Sequence, residues 1–219
     1  RPVTGELVGI ADGMVVTVNA MTGEITDTGA TFAENTAIAT GTATAFDFNN
    51  AIDAVRAVTS AGANLVYFPM GFGADDDRAN SVLRFTDPFY AEGDLNEGTT
   101  PTIFANAYTN AIPGATASET FQYALDAETD SLVSLANNAG TLMTVGSVTV
   151  DGTAIDLSGM GGMDIVSAAE GQNAAYAILQ AEGADTAGLY AVNLDTAEAT
   201  LLADLGMGGF TGFAASMGM

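Results

Sequence analysis

Short apolar–polar alternations return along the whole chain, each ended by turn residues, which is the period of strands with one face packed inward. The first three lie at 6–10, 14–20 and 23–28, divided by Asp12-Gly13 and Thr22-Gly23. Asp-Gly between alternating runs predicts a tight hairpin. Residues 31–44 carry no clear period and read as a crossing loop or a weak strand. Further strands are predicted at 45–50, Ala54–Thr59, Asn64–Phe68, 81–85, 102–108, 120–125, 131–135, 141–148, 163–167, 174–179, 189–194 and 199–205.

Among these, one unit of strand, acidic or amide turn and strand recurs, most clearly over 189–202, again over 15–26 and 121–133, and more loosely from Asn64. Equivalent positions 18, 67, 124 and 191 are 49, 57 and 67 residues apart, and the wrap through the termini is 46. Repeats of that length that close on themselves predict an all-β propeller. Four blades are expected, or five if the longest spacing hides one, in a single domain over 1–219. A second repeat sets Gly159-Met160-Gly161-Gly162-Met163-Asp164-Ile165-Val166 against Gly206-Met207-Gly208-Gly209-Phe210-Thr211-Gly212-Phe213, 47 residues on. It predicts that 210–215 closes the ring by pairing beside 7–10, N-terminal strand to C-terminal strand.

Composition narrows the chemistry. The 219 residues include no Cys, His, Trp or Lys, which excludes a Cys/His zinc site, a Ser-His-Asp triad and a thiolate nucleophile. A net charge of -23 repels phosphate backbones and anionic lipid, so nucleic acid is not an expected partner. No apolar run is long enough to insert in a membrane, and Arg1–Gly5 leads into a strand rather than an apolar leader. Charged residues are only 14% of the chain against about 25% in average proteins, and mean hydropathy is +0.27. Small neutral residues must therefore cover much of the surface, as suits a protein kept soluble in salt water or one whose faces pack on copies of itself.

The densest oxygen-ligand clusters are Asp75, Asp77 and Asn80, with Asp76, and Glu92, Asp94 and Asn96, with Glu97. Ca²⁺ takes six to eight such ligands, so these six residues are the candidate metal site and Ca²⁺ the candidate ion, although no EF-hand spacing is present. A solvated acidic turn is the simpler reading. Asp47 and Asp164 occupy the same place in two innermost strands. They are candidates for a carboxylate pair in hydrolysis, or for side chains that bond neighbouring main-chain N–H groups. Asn19, Asp126 and Asp195 read as Asx-turn formers. Met160, Met163, Met207, Met217 and Met219 read as core filler where blades converge.

The stretch Ala45-Phe46-Asp47-Phe48-Asn49-Asn50, then Val55-Arg56-Ala57-Val58 and Gly62-Ala63-Asn64-Leu65, resembles the core signature of a secreted bacterial family known as number 4394 in the domain-of-unknown-function series. Tyr90–Asp94, Ala107–Asn110 and Gly140–Gly146 match its later blocks in order. Asn50 stands where Pro is usual, Ala54 where Arg is usual, and Tyr67 near another customary basic position. The resemblance implies a propeller-like β fold, export from the cell and no assigned activity.

Three functions are compatible with these observations. The first is a non-enzymatic, extracellular structural protein that self-assembles, as a homo-oligomer or homopolymer, into a filament or surface layer. The second is a monomeric extracellular module for a glycan or matrix partner, with or without Ca²⁺. The third is a carboxylate-dependent hydrolase. In the first, Arg1 reaches onto an acidic neighbour.

Overall fold

The computed structural model describes residues 1–217. Four mainly antiparallel sheets stand as the blades of a propeller, so the longest repeat spacing hides no fifth. Blade 1 is β1 (Leu7–Ala11), β2 (Met14–Val18) and β3 (Ile25–Asp27). Blade 2 is β4 (Thr31–Phe32), β5 (Thr44–Asn49), β6 (Ala54–Thr59), β7 (Asn64–Phe68) and β8 (Ser81–Arg84). Blade 3 is β9 (Phe89–Tyr90), β10 (Ile103–Tyr108), β11 (Gln122–Asp126), β12 (Ser131–Ala136) and β13 (Thr141–Ser147). Blade 4 is β14 (Thr149–Val150), β15 (Thr153–Ala154), β16 (Leu157–Ser167), β17 (Asn173–Ala181), β18 (Gly188–Val192) and β19 (Glu198–Asp204). Asp12 and Gly13 both adopt positive φ, 50° and 74°, the conformation a two-residue hairpin demands.

In blades 2 to 4 the chain enters in a way the alternation does not foretell. Before turning to the axis it adds a two-residue strand, parallel, to the outer strand of the blade it is about to build: Thr31 beside Ser81, Phe89 beside Thr141, Thr149 beside Glu198. The hydrophobic core lies between blades rather than within them. Val15, Phe48, Val55, Leu65 and Tyr67 fill the junction of blades 1 and 2. Ala45, Val58, Ile103, Ala124, Val133 and Leu142 fill that of blades 2 and 3, and Phe104, Leu125, Leu132, Met163, Ile165 and Leu179 that of blades 3 and 4. Strands that meet a neighbour on both faces are buried throughout, as β6, β7 and β10 are.

Residues 206–217 do not form the expected closing strand. Among the described residues β1 pairs only with β2, and 210–215 makes no ladder with 7–10. Instead the segment lies against the inner edge of β16, where Gly161 N donates to Phe210 O at 2.8 Å. Gly162 permits that approach, since a Cβ there would stand 2.5 Å from Phe213 N; Gly161 instead lets β17 come close, a Cβ there standing 2.0 Å from Ile178 O. Gly206 and Gly209 sit at positive φ, which breaks the extended run a ladder requires. The methionines follow the same correction. Met163 is buried, but Met160, Met207 and Met217 are exposed, and Met219 is outside the described residues.

Candidate functional site

Asp47 and Asp164 are both half-buried near the axis, and each bonds the main chain of the next element round the ring. Asp47 Oδ2 accepts from Tyr108 N at 2.6 Å, tying β5 to β10. Asp164 Oδ2 accepts from Ala215 N at 2.6 Å, and its Oδ1 from its own neighbour Ile165 N at 2.7 Å. Residues 210–215 therefore stand to blade 4 as β10 stands to blade 2: the tail holds the place of an innermost strand without its ladder. Burial, then the charge of Asp164, pushes the Asp47 carboxyl well above the ordinary range, against the pull of the Tyr108 and Phe48 N–H groups. Burial also raises Asp164, opposed by the N–H groups of Ala215 and Ile165.

One ladder step from Asp47, on the same face of blade 2, is Arg56. It is buried, and no carboxylate lies within ion-pair distance of it among the described residues. Its guanidinium donates to Asn64 Oδ1 at 2.8 Å, Asn138 Oδ1 at 2.7 Å and the Tyr108 hydroxyl at 3.4 Å, and lies 5.5 Å from the centre of the Phe85 ring. Asn64 in turn donates to Thr86 O and Asn137 O, and the Tyr108 hydroxyl to Asn137 Oδ1. The signature residues Asp47, Arg56 and Asn64 are thus parts of one clamp between blades 2 and 3. Ala54, at the other customary Arg position, is buried beside Val66 and Phe68.

The six candidate metal ligands fall in two separate places. Asp75 and Asp77 point from an exposed loop, while the neighbouring Asp76 pairs with Arg78, which lies over the rings of Phe68 and Phe72. Asn80 is spent on Thr28 O and the Tyr67 hydroxyl. In the second loop Glu92 is exposed. Asp94 binds Asn96 N, Thr144 N and the Thr144 hydroxyl, and the Asn96 amide also reaches that hydroxyl. The loop is fastened to β13 by these bonds. Among the described residues no three carboxylates gather where an ion could be held.

Asn19 and Asp126 form the expected Asx turns, but in the third copy the acceptor is Asn193, which receives Asp195 N and Thr196 N. Arg1 does not reach outward: it forks onto Asp53 of its own chain at 2.5 Å and onto Glu6 at 2.8 Å. Beside it, at the junction of blades 1 and 2, runs a shallow groove of about 260 Å³ whose lining includes Glu6, Thr17, Thr26, Phe48 and Tyr67.

No curated protein matches the chain. Among solved structures, hydrazine synthase of Kuenenia stuttgartiensis is similar at 12% identity and a TM-score of 0.34, over 78% of this chain and 51% of that one. This chain thus spans about half the length of that structure. The family model described as domain of unknown function (DUF4394) matches residues 1–214, the whole of the ring from Arg1 to the tail against blade 4. The chain belongs to that family.

Proposed function

We propose that the protein is a non-enzymatic, extracellular structural protein that associates with copies of itself through the outer edges of its blades. The observation that carries this reading is the state of those edges. On β19 the short strand β14 covers only Glu198 and Ala199, leaving Thr200–Asp204 with no outer partner among the described residues and with Leu201 and Leu202 half exposed. On β13 the cover ends at Leu142, and β3 is exposed over its whole length. Natural sheets guard such edges with Lys, Pro or inward charge. Here there is no Lys, and each Arg is engaged on its own chain: Arg1, Arg78 and Arg84 with carboxylates, Arg56 in the clamp.

The net charge of -23 opposes contact, but its reach falls to about 8 Å at physiological salt. Association then strengthens as salt rises, with calcium adding bridges between acidic faces. Sedimentation velocity over a salt and calcium series tests this. The parent shifts to larger species as salt rises, and the double variant L201K/L202K stays monomeric. A parent that is monomeric at high concentration in seawater-like salt sinks the reading. That result favours a monomeric module for a glycan or matrix partner, for which the hydroxyl-lined groove beside Thr17 and Thr26 is the supporting feature.

A further inference from the structure

Five buried side-chain polar atoms have no hydrogen-bond partner among the described residues: both amide atoms of Asn106, both of Gln122, and Asn50 Oδ1. Protein interiors pair the large majority of such groups, so an unpaired cluster calls for a bonding partner from outside the chain. The ladder places four of these atoms together. Asn106 sits opposite Ala124 and Gln122 opposite Tyr108, which puts the two amides diagonally on one face of β10 and β11. That face turns to blade 2, because Ala124 packs with Ala45 and Val58 and the Tyr108 hydroxyl meets Arg56. Across from it stand Asp47 and Arg56, the first already bonded to Tyr108 N.

We propose that this axial end of the interface between blades 2 and 3 is a buried hydration site, in which ordered water bridges the Asn106 and Gln122 amides to Asp47. The chemistry selects water over an ion. Each amide presents two donors and an acceptor, and water answers both. A cation would engage the oxygens alone, leave the NH₂ groups unpaired, and face the positive charge of Arg56 on the same wall. An anion would meet the Asp47 carboxyl. Buried waters make about three hydrogen bonds each, so about two of them account for the four amide atoms and the bridge to Asp47.

A high-resolution crystal structure of the parent, with the variants N106L, Q122M and their double, tests the site. Both substitutions are apolar and of similar shape, and the assay is the melting temperature. With bridging water, each single variant removes one anchor and leaves the water held against the other amide, so each melts a few degrees lower. The double variant expels the water and loses less than the sum. Density is expected within about 2.7–3.2 Å of both amides. The proposal is overturned if single variants melt higher, if their effects add, if the density is absent, or if it refines as a cation with oxygens at about 2.3–2.6 Å.

Discussion

Replacing Arg56 tests the clamp between blades 2 and 3. Arg56→Met keeps most of the packed stem but removes the donors to Asn64 Oδ1 and Asn138 Oδ1. Stripping the buried Asn64 acceptor of its donor costs about 1–3 kcal/mol, and loss of the desolvated contact with Phe85 adds about 2 kcal/mol. Against this, the variant no longer buries a guanidinium, whose desolvation is an expense of several kcal/mol. The balance is a loss of about 2 kcal/mol. In a domain of this length that lowers Tm by about 4–8 °C. Arg56→Lys discriminates further. It keeps the charge in the interior, but an ammonium has no planar fork to span Asn64 and Asn138 and is more strongly hydrated. It should therefore melt below Arg56→Met. Circular dichroism melts of the two variants and the parent decide the matter: Lys equal to or better than Met, or Met within a degree of the parent, refutes the account of Arg56 as a forked donor in a dry interface.

Asp47→Asn probes the half-buried acid. An unfolded Asp titrates near about 4. Asp47 and Asp164 titrate higher when folded, so the folded chain holds extra protons and their contribution to stability is lost as pH rises from about 4 through the folded values. Asn keeps an acceptor for Tyr108 N, so the variant should show a flatter fall of Tm over that window and melt above the parent at pH 8; coincident curves would remove the explanation. Gly162→Val should dislodge the C-terminal segment, since even a Cβ there stands 2.5 Å from Phe213 N. Limited proteolysis should then cut the 206–217 stretch much faster than in the parent, and unchanged cleavage would mean that the tail is not seated on β16. Asp94→Ala should cost about 1 kcal/mol through the lost Thr144 and Asn96 bonds, or about 2–4 °C in Tm. No change in Tm would show that the loop is not fastened by Asp94.

What was legible in the sequence was whatever local pattern decides. The runs Ala54–Thr59 and Asn64–Phe68 carry their own strand signal, and Asp12-Gly13 names its own turn. The entry strands were not legible. Thr31–Phe32 and Phe89–Tyr90 are too short to show a period and exist because a distant outer strand offers them an edge. The clamp was half legible: Arg56 and Asn64 stand in the signature, but the acceptors that give Arg56 its role come from Asn138 and Tyr108, far along the chain. The glycine repeat misled, because similar sequence met different partners. In β16 it continues as Met163-Asp164-Ile165 with β17 alongside, whereas after Phe210 it meets Thr211-Gly212 and no ladder.

The entry strands also bear on the order of folding. Each pairs with a residue about fifty positions ahead, Thr31 with Ser81, Phe89 with Thr141, Thr149 with Glu198, so every one closes a loop that contains a whole blade and little else. Three segments of the chain can therefore complete themselves from their own residues at nearly equal entropic cost, and native contacts stay short-ranged until blades dock. Among the described residues β1–β3 has no such loop, which makes it the segment that must wait for its neighbours. Amide hydrogen exchange should find it opening first, with protection rising from blade 1 to the three blades that fasten their own ends.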